Sequence, residues 1–521
     1  MILRGLIALF GLFFTIHCTG QDYKHLQWVL EETFKSSPSI KISEQNIESQ
    51  EGFLLQAENL FAPALNFSLN NSVDDLPYTK STREGLFDDP ILSYQNYLLT
   101  YRLSASKVFK SGLTLSPEFR LNNFGKDATY DLYQALGMGE FVTNTGSLFL
   151  YASQPLLNGR GSASAAASLN IQKLQLSAAQ LEYQNDVSRQ AFIVVQNYLS
   201  YLGSRYSFSI NSQVLEGLIT YRDQLTELAD KDVIPKADLL YVRANYSQQS
   251  AFVSQSKNNV IRSRNSLSES MGLGSERYPE LETSQEEFFV ESIEIPDSSK
   301  YVTYWMKKAL ENRGDYQGLK KRVESGDVNI QFAERNNAPR LDLNLGVGYN
   351  GIYESNSAEQ YVAPFYSNIP GMSYTAGVSF SMPFGLKNTK GALRSAVANR
   401  ESLAQSLRSL ELNIQQSVAS SYSEVAMYAE AVSQFKQAVA TNAEALDNEY
   451  IKLKLGTTTV VNLIQVQQNA ANSRSNLNSY LGILNAAIIK FRYQTGTLVN
   501  GEGQSWSINP TEIFSLPAIG K

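Results

Sequence analysis

Residues 403–455 read LAQSLRSLELNIQQSVASSYSEVAMYAEAVSQFKQAVATNAEALDNEYIKLKL, and their apolar members recur every three or four positions without a break. Leu403, Leu407, Leu410, Ile414, Val418 and Tyr422 open a seam that continues through Leu446, Tyr450 and Leu453. Its mean step of about 3.6 residues lies between a straight helix and a heptad coiled coil. No proline stands between Pro383 and Pro510, so nothing there removes a helical hydrogen bond. The pattern predicts one helix from about Asn388 to Leu455, roughly 100 Å long at 1.5 Å per residue. A compact globule has no use for such a rod. Gly456 and Thr457-Thr458-Thr459 break it, and a second helix returns to about Gly496.

The same design occurs earlier in the chain. Ala62-Pro63-Ala64-Leu65-Asn66-Phe67 returns as Ala338-Pro339-Arg340-Leu341-Asp342-Leu343, Gln154-Pro155-Leu156 as Met382-Pro383-Phe384, and Asp238-Leu239-Leu240 as Asn462-Leu463-Ile464. A second proline-free window, Pro155 to Pro235, predicts a helix from about Ser162 to Lys231, a turn at Asp232-Val233-Ile234-Pro235, and a returning helix to Gly272. A repeat of this size is one module used twice. The module reads as helix, strand, strand and a long helical hairpin. The organisation is a first repeat over 21–274, with strands near 65–72 and 147–156 and a hairpin over 160–272, then an irregular linker over 275–299. A second repeat covers 300–498, with strands near 341–353 and 374–383 and a hairpin over 388–496, before a C-terminal tail over 499–521.

The strands alternate in polarity. Leu65, Phe67 and Leu69 interleave with Asn66, Ser68 and Asn70, and Leu341–Tyr349 and Tyr374–Met382 behave alike. A period of two gives one apolar and one polar face, as in membrane barrel strands between lipid and water. The first repeat holds an excess, Tyr97–Ser106 and Leu113–Asn122 joined at Lys110-Ser111-Gly112. This hairpin either lengthens an external loop or adds two strands; the longer loop is the preferred reading.

Composition narrows the function. Arg4, the apolar run Leu6–Ile16 and Cys18-Thr19-Gly20 read as a signal peptide over residues 1–20, although an uncleaved anchor and a lipid-acylated Cys18 are alternatives. Cys18 is the only cysteine, so cleavage after Gly20 excludes disulfide frameworks and thiolate metal sites in the mature chain, and His25, the only histidine beyond that segment, leaves almost nothing for imidazole chemistry. Fifty acidic against 44 basic residues, a net charge of −6, argue against a nucleic-acid surface. No phosphate-binding loop, nucleophile elbow or metal-spaced motif is present, so no enzyme activity and no cofactor are expected. Asp74-Asp75 and Asp88-Asp89 read as solvated loop carboxylates.

Together these pieces resemble the TolC-type outer membrane efflux proteins, over about Gln21 to Leu498. The most specific are residues 153–161, SQPLLNGRG, Ala237-Asp238-Leu239-Leu240 with Arg243-Ala244, residues 454–464, KLGTTTVVNLI, and the closing Gly496-Thr497-Leu498. The resemblance implies a mainly α protein with transmembrane β structure. It would be a homotrimer sharing one outer-membrane barrel, continued by a periplasmic α-helical barrel, and would serve a periplasmic adaptor with an inner-membrane pump or ABC exporter. The function implied is a passive exit duct for efflux or type I secretion. Four strands per chain give a barrel of about twelve, and six give about eighteen. A non-conducting exported coiled-coil scaffold or adhesin is the competing reading.

Site residues follow from the same resemblance. Asn462 and Gln465 fall where the family commonly carries an acidic ring at the periplasmic constriction, and neither is charged, so weak cation selectivity and little divalent block are expected; both also read as ordinary solvated positions. Asp238, Tyr241 and Arg243 match a latch segment, where Asp and Arg can form charge-assisted bonds to a neighbouring helix; Asp238 equally suits a helix N-terminal turn. Val233, Ile234, Leu455, Gly456 and Thr457 mark the adaptor-docking tips, and Asp232 stands where such a tip often has glycine.

Overall fold

The computed structural model describes residues 23–81, 93–126, 130, 133–134, 136–138, 143–230, 236–282, 288, 290, 292–355, 357–366, 370–382, 387–502, 505–509 and 512–519. The signal segment 1–20, Asp88-Asp89, Asp232, Val233 and Ile234 lie outside the described residues. The chain folds as two units: one takes the described residues up to Ile47, Ala178–Leu319 and those from Leu407 on, the other Glu48–Ser177 and Lys320–Ser406.

The first unit is helical. It contains α1 (Lys24–Ser36), most of α4 (Ala167–Asp230), α5 (Lys236–Met271), α6 (Ser298–Asn312), the start of α7 (Gly314–Asn336), α8 (Lys387–Lys454) from Leu407, and α9 (Val460–Gln494). The period seen in the sequence becomes burial: Ile414, Val418, Tyr422, Val425 and Val432 of α8 pack with Leu484, Ile488 and Phe491 of α9 and with Tyr301 and Trp305 of α6. A second core joins α1, through Leu26, Val29 and Leu30, to α4 at Val187, Val194, Val195 and Tyr198. Each such apolar side chain contributes roughly 1.5–3 kcal/mol on burial.

Described residues of the 499–521 segment, legible in the sequence only as a tail, complete these cores through Val499, Ile513, Phe514 and Leu516. Ile513 and Phe514 are each 2% exposed. The buried Arg492 guanidinium donates to the Ser515 carbonyl at 2.7 Å and the Thr497 carbonyl at 3.3 Å. The Tyr301 hydroxyl donates to the Pro517 carbonyl at 2.7 Å. In the linker, Asn485 brackets Val290, accepting from its N–H at 3.0 Å and donating to its carbonyl at 2.8 Å.

The second unit is a six-stranded antiparallel sheet in the order β1 (Ala64–Pro77), β2 (Ser93–Val108), β3 (Thr114–Lys126), β4 (Thr143–Pro155), β5 (Arg340–Glu354), β6 (Pro370–Ser381). With it go the C-terminal part of α2 (Pro38–Asn59) and α3 (Ser162–Ala165). The hairpin preferred above as an external loop is therefore corrected: β2 and β3 are full strands between β1 and β4. Their connecting turn is also at the helix-bearing edge of the sheet. The Gly161 N–H donates to the Ser111 carbonyl at 3.0 Å, beside the turn that follows β4. Gly112 has φ +91, and a Cβ there would collide with the Gly159 carbonyl oxygen. Only glycine fits this turn.

Register carries two chemically opposite faces across all six strands. One row runs Phe67, Leu103, Phe119, Leu148, Tyr349, Met372; the neighbouring row runs Ser68, Arg102, Arg120, Ser147, Asn350, Gly371. On the polar face Glu118 pairs with Arg120 at 2.5 Å and Arg102 at 3.3 Å. Cross-strand hydrogen bonds link Thr100 to Asn122 and Asn122 to Thr145, at 3.0 and 3.2 Å. Others link Ser153 to Asn344 and Asn344 to Ser379, at 2.8 and 3.1 Å. A hollow of about 330 Å³ opens on this face among Thr114, Ser116, Tyr151, Ser153, Asn344 and Thr375. The opposite face leaves Phe67, Tyr374, Val378 and Phe380 between 64% and 75% exposed, an apolar expanse that water does not favour.

Candidate functional site

The turn between α8 and α9 is built by local chemistry. Gly456, with φ +71, terminates α8: its N–H donates to the Leu453 carbonyl at 3.0 Å and the Thr457 N–H to the Lys452 carbonyl at 3.0 Å. This paired ending requires a left-handed residue. Nothing lies within 4 Å of a Cβ built at Gly456, so a side chain there is opposed by the backbone alone. Gly456→Ala is expected to cost about 1 kcal/mol locally, read as faster amide exchange over residues 452–457 with unchanged exchange in α6.

Thr459 caps α9, accepting from the Asn462 N–H at 3.3 Å. The Asn462 side-chain amide donates to the Thr458 hydroxyl at 3.4 Å, and that hydroxyl donates in turn to Glu449. The Thr458 bond first, then Lys452 at 3.2 Å, holds the Glu449 carboxyl below its ordinary range, so it stays ionised. Leu455 is 71% exposed at the tip, whereas Leu463 and Ile464 are buried.

Asn462 and Gln465 are both exposed on one face of α9, as their spacing requires. The structure adds four residues to that face. Asn469, Asn472, Asn476 and Ser479 are exposed at steps of three and four, and Gln465 donates to Asn469 at 3.2 Å. The seam of six polar side chains from Asn462 to Ser479 is about 25 Å long and entirely neutral. Its signal was present in the sequence as amides at helical spacing. No carboxylate occurs anywhere in α9.

The first hairpin packs on the second. Leu218 of α4 and Leu239 and Val242 of α5 bury against Val460 and Ile464, with Tyr241 and Tyr221 partly buried around them. Burial pushes the Tyr221 hydroxyl up to about 12. Above this cluster Gln468 of α9 donates to Asn245 of α5 at 3.0 Å, a link between hairpins that the sequence did not single out. Of the latch candidates, Tyr241 belongs to the cluster and Arg243 is exposed; Asp238 stands in the first turn of α5, its side chain outside the described residues.

Among the described residues no helix is long and apolar enough to cross a membrane. The two-faced sheet is the element whose chemistry suits one.

The family described as Outer membrane efflux protein matches residues 305–496. Outer membrane protein TolC of Escherichia coli (strain K12) is 23% identical over 420 residues, covering 73% of this chain and 82% of that protein. The chain thus resembles the outer membrane efflux proteins, the family match falling on its second repeat. Solved channels share its fold. The Campylobacter jejuni CmeC outer membrane channel aligns with a TM-score of 0.66 at 13% identity, covering 92% of this chain and 87% of that one. VceC of Vibrio cholerae aligns with a TM-score of 0.63 at 14% identity, covering 90% and 96%. The likeness is to TolC-type outer membrane efflux channels, in sequence and in fold.

Proposed function

We propose that three copies form a passive exit duct across the outer membrane, with the helical hairpins as its periplasmic extension. The observation that carries this reading is the sheet. Its apolar and polar faces are continuous, and β1 and β6 each keep one unpaired edge among the described residues. Open edges cannot face lipid, so copies pool their strands. Three sheets of six strands give a wall of about eighteen, a known barrel size. Glu118, Arg102 and Arg120 then face water, and Phe67, Tyr374 and Phe380 face hydrocarbon.

In this reading Asn462 and Gln465 ring the periplasmic constriction, and the neutral seam of α9 lines the approach to it. Arg243, exposed on α5, latches an adjacent copy, with Tyr241 nearby in the apolar cluster; Asp238, the third latch residue, has its side chain outside the described residues. Leu455, Gly456 and Thr457 form a tip that a periplasmic adaptor grips, loaded by an inner-membrane pump or ABC exporter; Val233 and Ile234, expected to join it, lie outside the described residues. Small-molecule efflux and type I protein secretion would both use such a duct. The test is purification from outer-membrane fractions and reconstitution in planar bilayers. Trimers that dissociate on heating and discrete single-channel currents are expected; a monomer that leaves the bilayer silent supports the scaffold reading instead.

A further inference from the structure

The segment 357–366, between β5 and β6, is packed on the sheet rather than extended from it. Phe365 stacks on Phe119 with ring centroids 4.6 Å apart, and Tyr361 meets Tyr101 edge-on at 6.2 Å. Phe119 and Tyr101 belong to the apolar face, whereas the hollow opens on the opposite, polar one. The segment thus lies on the lipid-facing side of the wall, at the edge away from the strand ends that lead into helices.

Two observations show a built contact. Gly146 and Gly351 leave the room it needs: a Cβ at Gly146 would lie 2.8 Å from the Phe365 ring, and one at Gly351 would collide with the Pro364 carbonyl oxygen. Beneath it are Asn123 and Asn144, whose register puts their amides on the apolar face. Asn123 donates to Asn144 at 2.6 Å and Asn144 donates to the Ser355 carbonyl at 3.1 Å. Asn144 is 0% exposed. Bare amides in hydrocarbon are costly; here each amide N–H donates to a partner out of reach of lipid, while the Asn123 Oδ1 is buried without one. From Tyr361 onward the outward side of the segment is apolar and aromatic, with Tyr361 43%, Val362 56% and Tyr366 67% exposed; Ser357, Ala358 and Glu359 before it are also exposed, Glu359 accepting from the Tyr353 hydroxyl at 3.1 Å.

Resting on the channel reading, we propose that residues 357–366 form a lipid-contacting collar, in which Tyr361, Val362 and Tyr366 seat in the interfacial region of the outer leaflet. The occupant is bilayer lipid. Its surface is continuous with the lipid-facing wall, and tyrosine suits the depth where acyl chains meet headgroups.

The experiment uses the full chain, reconstituted in phosphatidylcholine vesicles whose acyl chains are brominated near the glycerol end. Tyr366→Trp, Tyr374→Trp on the apolar face and Ser373→Trp on the polar face are compared, the emission of the three native tryptophans being subtracted. Brominated lipid is expected to lower the added emission at least about twofold for Tyr366→Trp and Tyr374→Trp, and to leave Ser373→Trp open to aqueous acrylamide alone. Quenching of Tyr374→Trp without Tyr366→Trp overturns the collar and leaves the barrel standing. If lipid quenches neither, the barrel reading falls and the collar with it.

Discussion

Replacing Asn462 and Gln465 together by aspartate is expected to convert the duct from one nearly indifferent to divalent cations into one they block. At these two positions the wild type offers amides, α9 supplies no carboxylate, and the nearby Glu449 of α8 is engaged by Thr458 and Lys452. In the proposed trimer the double substitution would place about six carboxylates around one narrow water-filled passage, where charges closer than a Debye length of roughly 8 Å reinforce one another. Such a ring concentrates cations. A gain of about 1.4 kcal/mol in ion binding lowers the half-blocking concentration tenfold, and a shared ring is expected to exceed that. Bilayer conductance against added magnesium reads the effect, with Asn462→Gln as the neutral control. Equal divalent sensitivity in wild type and the double aspartate variant would remove Asn462 and Gln465 from the constriction.

The second large effect concerns the sheet. Tyr374 and Thr375 are neighbours on β6 with opposite orientations: Tyr374 is 75% exposed on the apolar face and Thr375 lines the hollow. In the proposed barrel Tyr374→Arg would put a cation into hydrocarbon, costing up to roughly 2–4 kcal/mol per chain at the midplane and less towards the interface, and over three copies this is expected to abolish heat-modifiable trimers in the outer membrane. Thr375→Arg puts the same charge in water. It is expected to assemble normally and to shift ion selectivity towards anions. The contrast turns on parity alone. Equal loss of assembly in both variants would mean that the two faces are not lipid and water.

What was legible in the sequence is what local pattern determines. The seam from Leu403 to Leu453 encodes its helix because burial repeats at the helical period. Gly456 and Thr459 mark the turn because a left-handed ending and a hydroxyl cap need those residue types. The β2–β3 hairpin was legible as strands but not as wall. Alternation over ten residues is the same in a projecting loop and in a sheet, and only pairing on both sides, Phe67 with Leu103 and Phe119 with Leu148, distinguishes them. Gln468 with Asn245, Arg492 with Ser515, and the packing of Phe365 on Phe119 were likewise hidden, since each depends on residues far apart in the chain. Asn469, Asn472 and Asn476 stand at helical spacing in the sequence, but the resemblance pointed only to the two positions nearest the tip.

A density map of the full-length protein extracted into a lipid nanodisc tests the central claim most directly. The account predicts threefold symmetry around a closed barrel to which each copy gives six strands, β2 and β3 included, with Phe67 and Tyr374 turned to the lipid. A single copy with an open sheet, or a barrel built from four strands per chain with residues 93–126 outside the wall, would contradict it.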